Sequence, residues 1–261
     1  MQRLYRAAAL ALVALAVILA PGCASGGLFQ QYEYEEDIYL SLDGTATVYV
    51  NSSVPALNAL RGTSLDISPT ARLDRDGVRR FYTTPVTRVA QVSQSRRSGR
   101  RFLHVRLEVE DIRRLGATMP FQWSRYEFRR QDEQYIYQQT LGAAVNKSVG
   151  DVGWKGDERV AFRLHLPSKI TYHNAGAGNP KRGNILLWEQ SLRDRLRGEP
   201  LVLDARMQTQ SILYRTLLLF AATFIAVAVT FAVVIVLVLR GGRKNARAGQ
   251  AGRAGRAGRA G

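Results

Sequence analysis

Between residues 32 and 210 the chain alternates apolar and polar positions in short runs broken by Gly, Asp, Asn and Ser, the pattern of β-hairpins. Tyr32 to Leu42 and Thr45 to Val50 flank Asp43-Gly44. A two-residue Asp-Gly loop sets Leu40 opposite Thr47 and Ile38 opposite Tyr49, mixing polar with apolar. A three-residue loop of Leu42-Asp43-Gly44 pairs Leu40 with Ala46 and Ile38 with Val48 instead. It collects Asp37, Tyr39, Thr45, Thr47 and Tyr49 on the opposite face and gives Gly44 the left-handed position of such a loop. We prefer this register because it yields one apolar face.

The same pattern predicts the remaining elements. Val54 to Leu60 reads as a short helix capped by Ser53, with Pro55 in its first turn and Arg61-Gly62 as its stop. Val86–Val92 and Arg101–Val109 form a hairpin around Arg96–Arg100, and Glu110–Leu115 a second short helix. Trp123–Arg130 and Gln134–Thr140 form a third hairpin around Gln131-Asp132-Glu133. Strands at Arg159–Leu166, Asn184–Trp188 and Leu201–Met207 follow. The fold class expected is α+β: a largely antiparallel sheet with two or three short helices in one outer domain, plus one C-terminal transmembrane helix.

The ends of the chain differ from this middle. Arg3 and Arg6 precede an apolar run from Ala7 to Ala20, which fits a secretory signal and is short for a membrane span. Leu19-Ala20-Pro21-Gly22-Cys23 resembles the lipobox of bacterial lipoproteins, which implies that Cys23 is the lipidated first residue after cleavage. Gly22 fits the small residue before the cut, whereas Ala20 and Pro21 depart from the pattern. The alternatives are a chance cysteine beside an ordinary cleavage site, or an uncleaved anchor. At the other end Thr216 to Leu239 is free of charge and, as a helix, about 36 Å long, enough to cross a hydrocarbon core of roughly 30 Å. The organisation expected is a signal over 1–23, a tether over 24–31, an extracytoplasmic domain over 32–210, a transmembrane helix over 211–240 and a disordered basic tail over 241–261.

Charge changes this picture less than its total suggests. The net charge is +16, but Arg3, Arg6 and seven bases beyond Leu239 contribute nine of it. The rest of the chain holds 28 Lys+Arg against 21 Asp+Glu, so the excess belongs mostly to the ends and points to no specific nucleic acid. Arg240, Arg243, Lys244 and Arg247 instead assign the tail to the cytoplasm by the positive-inside rule, either as an inner-leaflet lipid contact or, the preferred reading, as a topology-fixing tail with no specific partner. The signal independently sends the middle outward. One cysteine excludes an intrachain disulfide.

Candidate chemistry is sparse. His104, His165 and His173 have no second ligand at metal spacing, and there is no nucleophile elbow, phosphate loop or dinucleotide fingerprint. No catalytic residue, metal or cofactor is expected. His104 and His165 read as ordinary sheet residues. Glu33, Glu35 and Asp37 alternate on one strand face, either as a hard-cation site or, the preferred reading, as a solvated row or partners of Arg/Lys on a neighbouring strand. Arg96, Arg97, Arg100 and Arg101 form the densest outer basic cluster, read either as a contact for anionic headgroups or as a solubilising hairpin tip.

The leading strand ending in Leu42-Asp43-Gly44-Thr45-Ala46, the segment Leu166–Ala175 followed by Asn184-Ile185-Leu186-Leu187-Trp188, and the lipobox with one spanning helix resemble the LppM-like family of membrane-anchored envelope lipoproteins, over about residues 32–239. In physical terms a strand leaves the sheet at Pro167, turns near Asn174-Ala175-Gly176 and returns with Trp188 packing inward. The resemblance implies an α+β outer domain and recognition of membrane lipids or glycolipids; it carries over no catalytic residue. The expected function is a non-enzymatic envelope protein of the bacterial cytoplasmic membrane that binds a lipid, glycolipid or partner protein near the bilayer. The alternative is an assembly factor acting through protein contacts alone.

Overall fold

The structure is a computed structural model that describes residues 32–176 and 183–257. The signal, Cys23 and the tether lie outside these residues. β1 (Tyr32–Leu40) and β2 (Ala46–Ser53) form the leading hairpin. Ile38 faces Val48 and Leu40 faces Ala46, the register that one apolar face requires. Ser41 and Thr45 still hydrogen-bond, leaving Leu42-Asp43-Gly44 as the loop, with Gly44 at φ +92°. Leu40, Ala46, Val48 and Val50 are buried.

α1 (Val54–Arg61) follows directly, its Ala56 N–H donating to the Ser53 hydroxyl and its end turned by Gly62 at φ +72°. α2 (Arg75–Tyr82) was not expected from the pattern. Asp74 caps it through Gly77 N–H at 2.8 Å, and it buries Val78 and Tyr82. β3 (Thr87–Arg97) and β4 (Arg100–Val109) run longer than predicted, because Ser98-Gly99 closes them as a two-residue turn with φ positive at both residues. α3 (Ile112–Leu115) is followed by a 3₁₀ turn at Met119–Phe121, then β5 (Ser124–Gln131) and β6 (Gln134–Leu141). β7 (Arg159–His165), β8 (Ser168–His173), β9 (Ile185–Ser191), α4 (Leu192–Leu196) and β10 (Leu201–Ser211) complete the domain. Short helices thus number four among the described residues, against the two or three expected.

The strands make two sheets, ordered β3-β4-β2-β1-β7-β9 and β5-β6-β10-β8. Every pairing is antiparallel except β1 with β7. The chain changes sheet at Leu166-Pro167, and Trp188 packs inward with its indole N–H on Asn174 Oδ1 at 2.8 Å. Side chains from both sheets fill one core, Val48 and Leu107 meeting it from the first and Tyr137 and Leu203 from the second.

α5 (Ile212–Ala257) leaves β10 without a linker. Its first amide donates to Pro167 O at 3.0 Å. Ile212–Leu237 is long and apolar enough to cross a membrane and none of it is buried in the protein; Phe220 and Phe224 are 70% and 76% exposed. Thr216, Thr223 and Thr230 turn their hydroxyls back onto the carbonyls four residues earlier at 2.9 Å, so these three groups are satisfied within the helix. The helix continues to Ala257, where the low-complexity composition predicts disorder. Alanine, arginine and glutamine are strong helix formers and offset the recurrent glycine there.

Candidate functional site

Two ends of the first sheet can be told apart. The end nearest α5, here called proximal, carries the Leu42–Gly44 loop, Val86, Glu110, His165 and Pro167. The β5–β6 turn lies there too, because Gln134 pairs with Gln208 close to the end of β10. The distal end carries Tyr32, α1, the Ser98-Gly99 turn and α4. β3 alone separates the two by about 33 Å.

The four arginines singled out by sequence lie at the distal end and do not act together. Arg96 and Arg97 are exposed, the latter stacked over Phe102 at 4.2 Å. Arg100 pairs with the buried Glu33 at 2.7 Å, while Arg101 is 2% exposed and donates to Asp66 O. The acidic row is broken as well. A bulge between Tyr32 and Tyr34 turns Glu33 inward, towards Arg100 and the Trp154 indole N–H. Glu35 and Asp37 keep the outer face and share Arg163 of β7, as a neighbouring-strand pairing requires. Burial and the Glu35 charge raise the Asp37 carboxyl to about 6 against the pull of Arg163. Arg240, Arg243, Lys244 and Arg247 fall on α5, in a stretch whose side chains are outside the described residues.

Sequence reasoning missed the centre of the molecule. Glu36 is 1% exposed, on the same inward face of β1 as Tyr34 and Ile38. Its Oε2 accepts from Arg61 Nη2 at 2.8 Å and Tyr34 OH at 2.9 Å; its Oε1 accepts from Tyr126 OH at 2.9 Å and Gln139 Nε2 at 3.2 Å. All of its lone-pair positions are used. The Arg61 guanidinium also lies 3.6 Å from the Trp123 ring centroid, a short cation–π stack. Burial drives the Tyr34 and Tyr126 hydroxyls well above the usual phenol range, so both stay donors. Arg195 of α4, 0% exposed, approaches the same indole at 5.7 Å and donates to Gly142 O at 2.7 Å.

A second feature lies at the proximal end. Tyr39 stacks on His165 with centroids 3.8 Å apart, and the pair walls an open groove of about 470 Å³ completed by Leu40, Leu166, Pro167 and Asn184. Burial and Arg163 hold the His165 imidazole below its ordinary pKa, so it is neutral near pH 7. Arg113 and Arg114 of α3 and Arg129 and Arg130 of β5 are exposed around this end.

The chain matches no family model and no curated protein. Among solved structures it is similar to the folded domain of the LppM protein of Mycobacterium tuberculosis, determined by NMR. That similarity has 15% identity and a TM-score of 0.40, and covers 69% of this chain and 92% of that one. A likeness at this level bears on no residue of the groove or the buried cluster.

Proposed function

We propose that the protein is a single-pass, non-enzymatic envelope protein held in the cytoplasmic membrane by α5, with its β-rich domain outside and its basic C-terminus in the cytoplasm. The domain binds a lipid or glycolipid where it meets the bilayer. The observation that carries this reading is the direct passage of β10 into an unburied apolar helix at Ile212, beside the groove of Tyr39, His165 and Pro167. The absence of a linker between β10 and α5 supports a proximal end held at the membrane surface. A groove with an aromatic wall and a neutral imidazole suits a sugar or glycerol headgroup, which offers hydroxyls and apolar ring faces.

On this reading headgroup contact passes from Arg96, Arg97, Arg100 and Arg101 to Arg113, Arg114, Arg129 and Arg130. The former stand about 33 Å along the strands from the α5 junction, beyond a Debye length of about 8 Å. The test is native mass spectrometry of the full chain extracted in a mild non-ionic detergent. A stoichiometric lipid should be retained, be lost in the Tyr39→Ala/His165→Ala double variant and survive Arg96→Ser. A lipid-free mass for the unaltered protein, or a lipid that persists in the double variant, would overturn groove binding and favour the assembly-factor reading.

A further inference from the structure

Arg195 makes no salt bridge among the described residues, although Glu199 acts on it electrostatically. It is fully buried, and its Nε and Nη1 have no hydrogen-bond partner among the described residues. Glu36, the buried carboxylate of this cluster, is saturated by Arg61, Tyr34, Tyr126 and Gln139. No undescribed residue can supply another: every Asp and Glu of the chain lies between Glu33 and Asp204, and none falls in the undescribed stretch 177–182. Glu199 is half exposed and pairs with Arg197 at 3.3 Å. An arginine cannot shed its proton, so a buried guanidinium without an anion is strongly unfavourable.

The unmet donors are grouped. Arg61 Nε and Nη1, Trp123 Nε1 and Tyr82 OH are buried and without partners too, and both arginines lie over the one indole. Unpartnered N–H donors therefore outnumber the acceptors left in the cluster, of which the Tyr82 hydroxyl is one. Two cationic guanidinium groups with free N–H donors, beside an indole N–H and a hydroxyl, form a donor set that suits an oxyanion. We infer that the cluster of Arg61, Tyr82, Trp123 and Arg195 binds a small free oxyanion of the phosphate, sulfate or carboxylate type. Its two guanidinium groups come from α1 and α4, elements of the distal end, away from the start of α5, so its occupant comes from the aqueous phase. It is independent of the proximal groove.

The experiment is thermal unfolding of the full chain in detergent micelles, titrated separately with phosphate, sulfate and acetate against sodium chloride at constant ionic strength. At least one of the three should raise Tm saturably, because a ligand bound only by the folded state stabilises it. Arg195→Met should abolish the saturable rise, and Arg195→Lys, which keeps the charge but loses the spread of guanidinium donors, should weaken the apparent affinity at least tenfold. The exposed Arg197→Met should leave it unchanged. In anion-free buffer Arg195→Met should melt above the unaltered protein, since it removes an unpaired buried charge. A response to all three anions no different from chloride, or an equal response in Arg195→Lys, would assign the cluster to internal water and end the proposal.

Discussion

The two faces of β1 carry the same chemistry in different surroundings. Inward, Glu36 meets Arg61 with both side chains almost wholly buried; outward, Glu35 and Asp37 meet Arg163 with roughly a sixth to a third of each side chain exposed. Within the core every acceptor of the carboxylate is filled by a designated donor. On the outer face two carboxylates share one arginine, and all three side chains are partly open to solvent. The inner pair therefore holds the two sheets together through Tyr126 and Gln139, while the outer trio adjusts the charge of an open face.

The largest effect expected from this contrast is at Glu36. Glu36→Gln keeps the shape but leaves Arg61 and Arg195 with no carboxylate between them, and its amide adds a donor to a cluster already rich in donors. Breaking a buried pair in this way should cost about 3–5 kcal/mol, read from denaturant unfolding of the full chain in micelles. A loss below about 1 kcal/mol would mean that water reaches the cluster and that the two faces are not distinct.

The pH dependence sharpens the comparison from the outer side. Asp37 binds its proton more tightly in the folded state, with a pKa of about 6 against 3.8 in a free carboxyl. Between those values the folded state holds more protons than the unfolded one, so stability falls as pH rises from about 4 to about 6 and is flat above. Asp37→Asn should remove a slope worth on the order of 1–3 kcal/mol across that window. His104 and His165, both held below their ordinary pKa chiefly by burial, give the opposite slope, losing stability as pH falls below about 6.5. Subtracting the Asp37→Asn profile from that of the unaltered protein isolates the carboxyl; a flat difference would place Asp37 in full contact with solvent.

How far these faces were legible from sequence depends on the element. The leading hairpin was readable to the residue, because a one-residue slip exchanges its apolar and polar faces and only one register keeps them apart. The same alternation contained Glu36: a carboxylate at an inward position between Tyr34 and Ile38 was the available signal of a buried partner. The bulge that turns Glu33 inward has no local signature and depends on how β7 pairs. α2 is short and charged, with Gly77 near its start, and only the Asp74 cap and the Val78–Tyr82 spacing mark it. Arg195 is one of three arginines at alternate positions in Leu192–Arg197, and which one turns inward is decided by the docking of α4 against α1.

A smaller effect is expected at the proximal turn. Gly44 has φ +92°, yet a Cβ there would meet nothing nearer than 3.6 Å, so the cost of Gly44→Ala is backbone strain alone, about 1–2 kcal/mol in Tm-derived stability. The effect should leave the distal cluster untouched, and anion titrations of this variant should match the unaltered protein.

The smallest effect belongs to the outer pair itself. A double-mutant cycle on Glu35→Gln and Arg163→Gln should give a coupling below about 1 kcal/mol, because both groups are partly solvated and Asp37 stands ready to replace Glu35 as the partner of Arg163. Raising the salt from 0.05 to 0.5 M should shrink that coupling further, through screening of charges that water already reaches. The corresponding cycle on Glu36 and Arg61 should be several-fold larger and nearly independent of salt, since no counter-ion can approach two side chains that are 0% and 3% exposed. Equal couplings would show that the residues surrounding each pair, and not its depth, decide its strength, and Tyr126 and Gln139 would then carry the difference between the two faces.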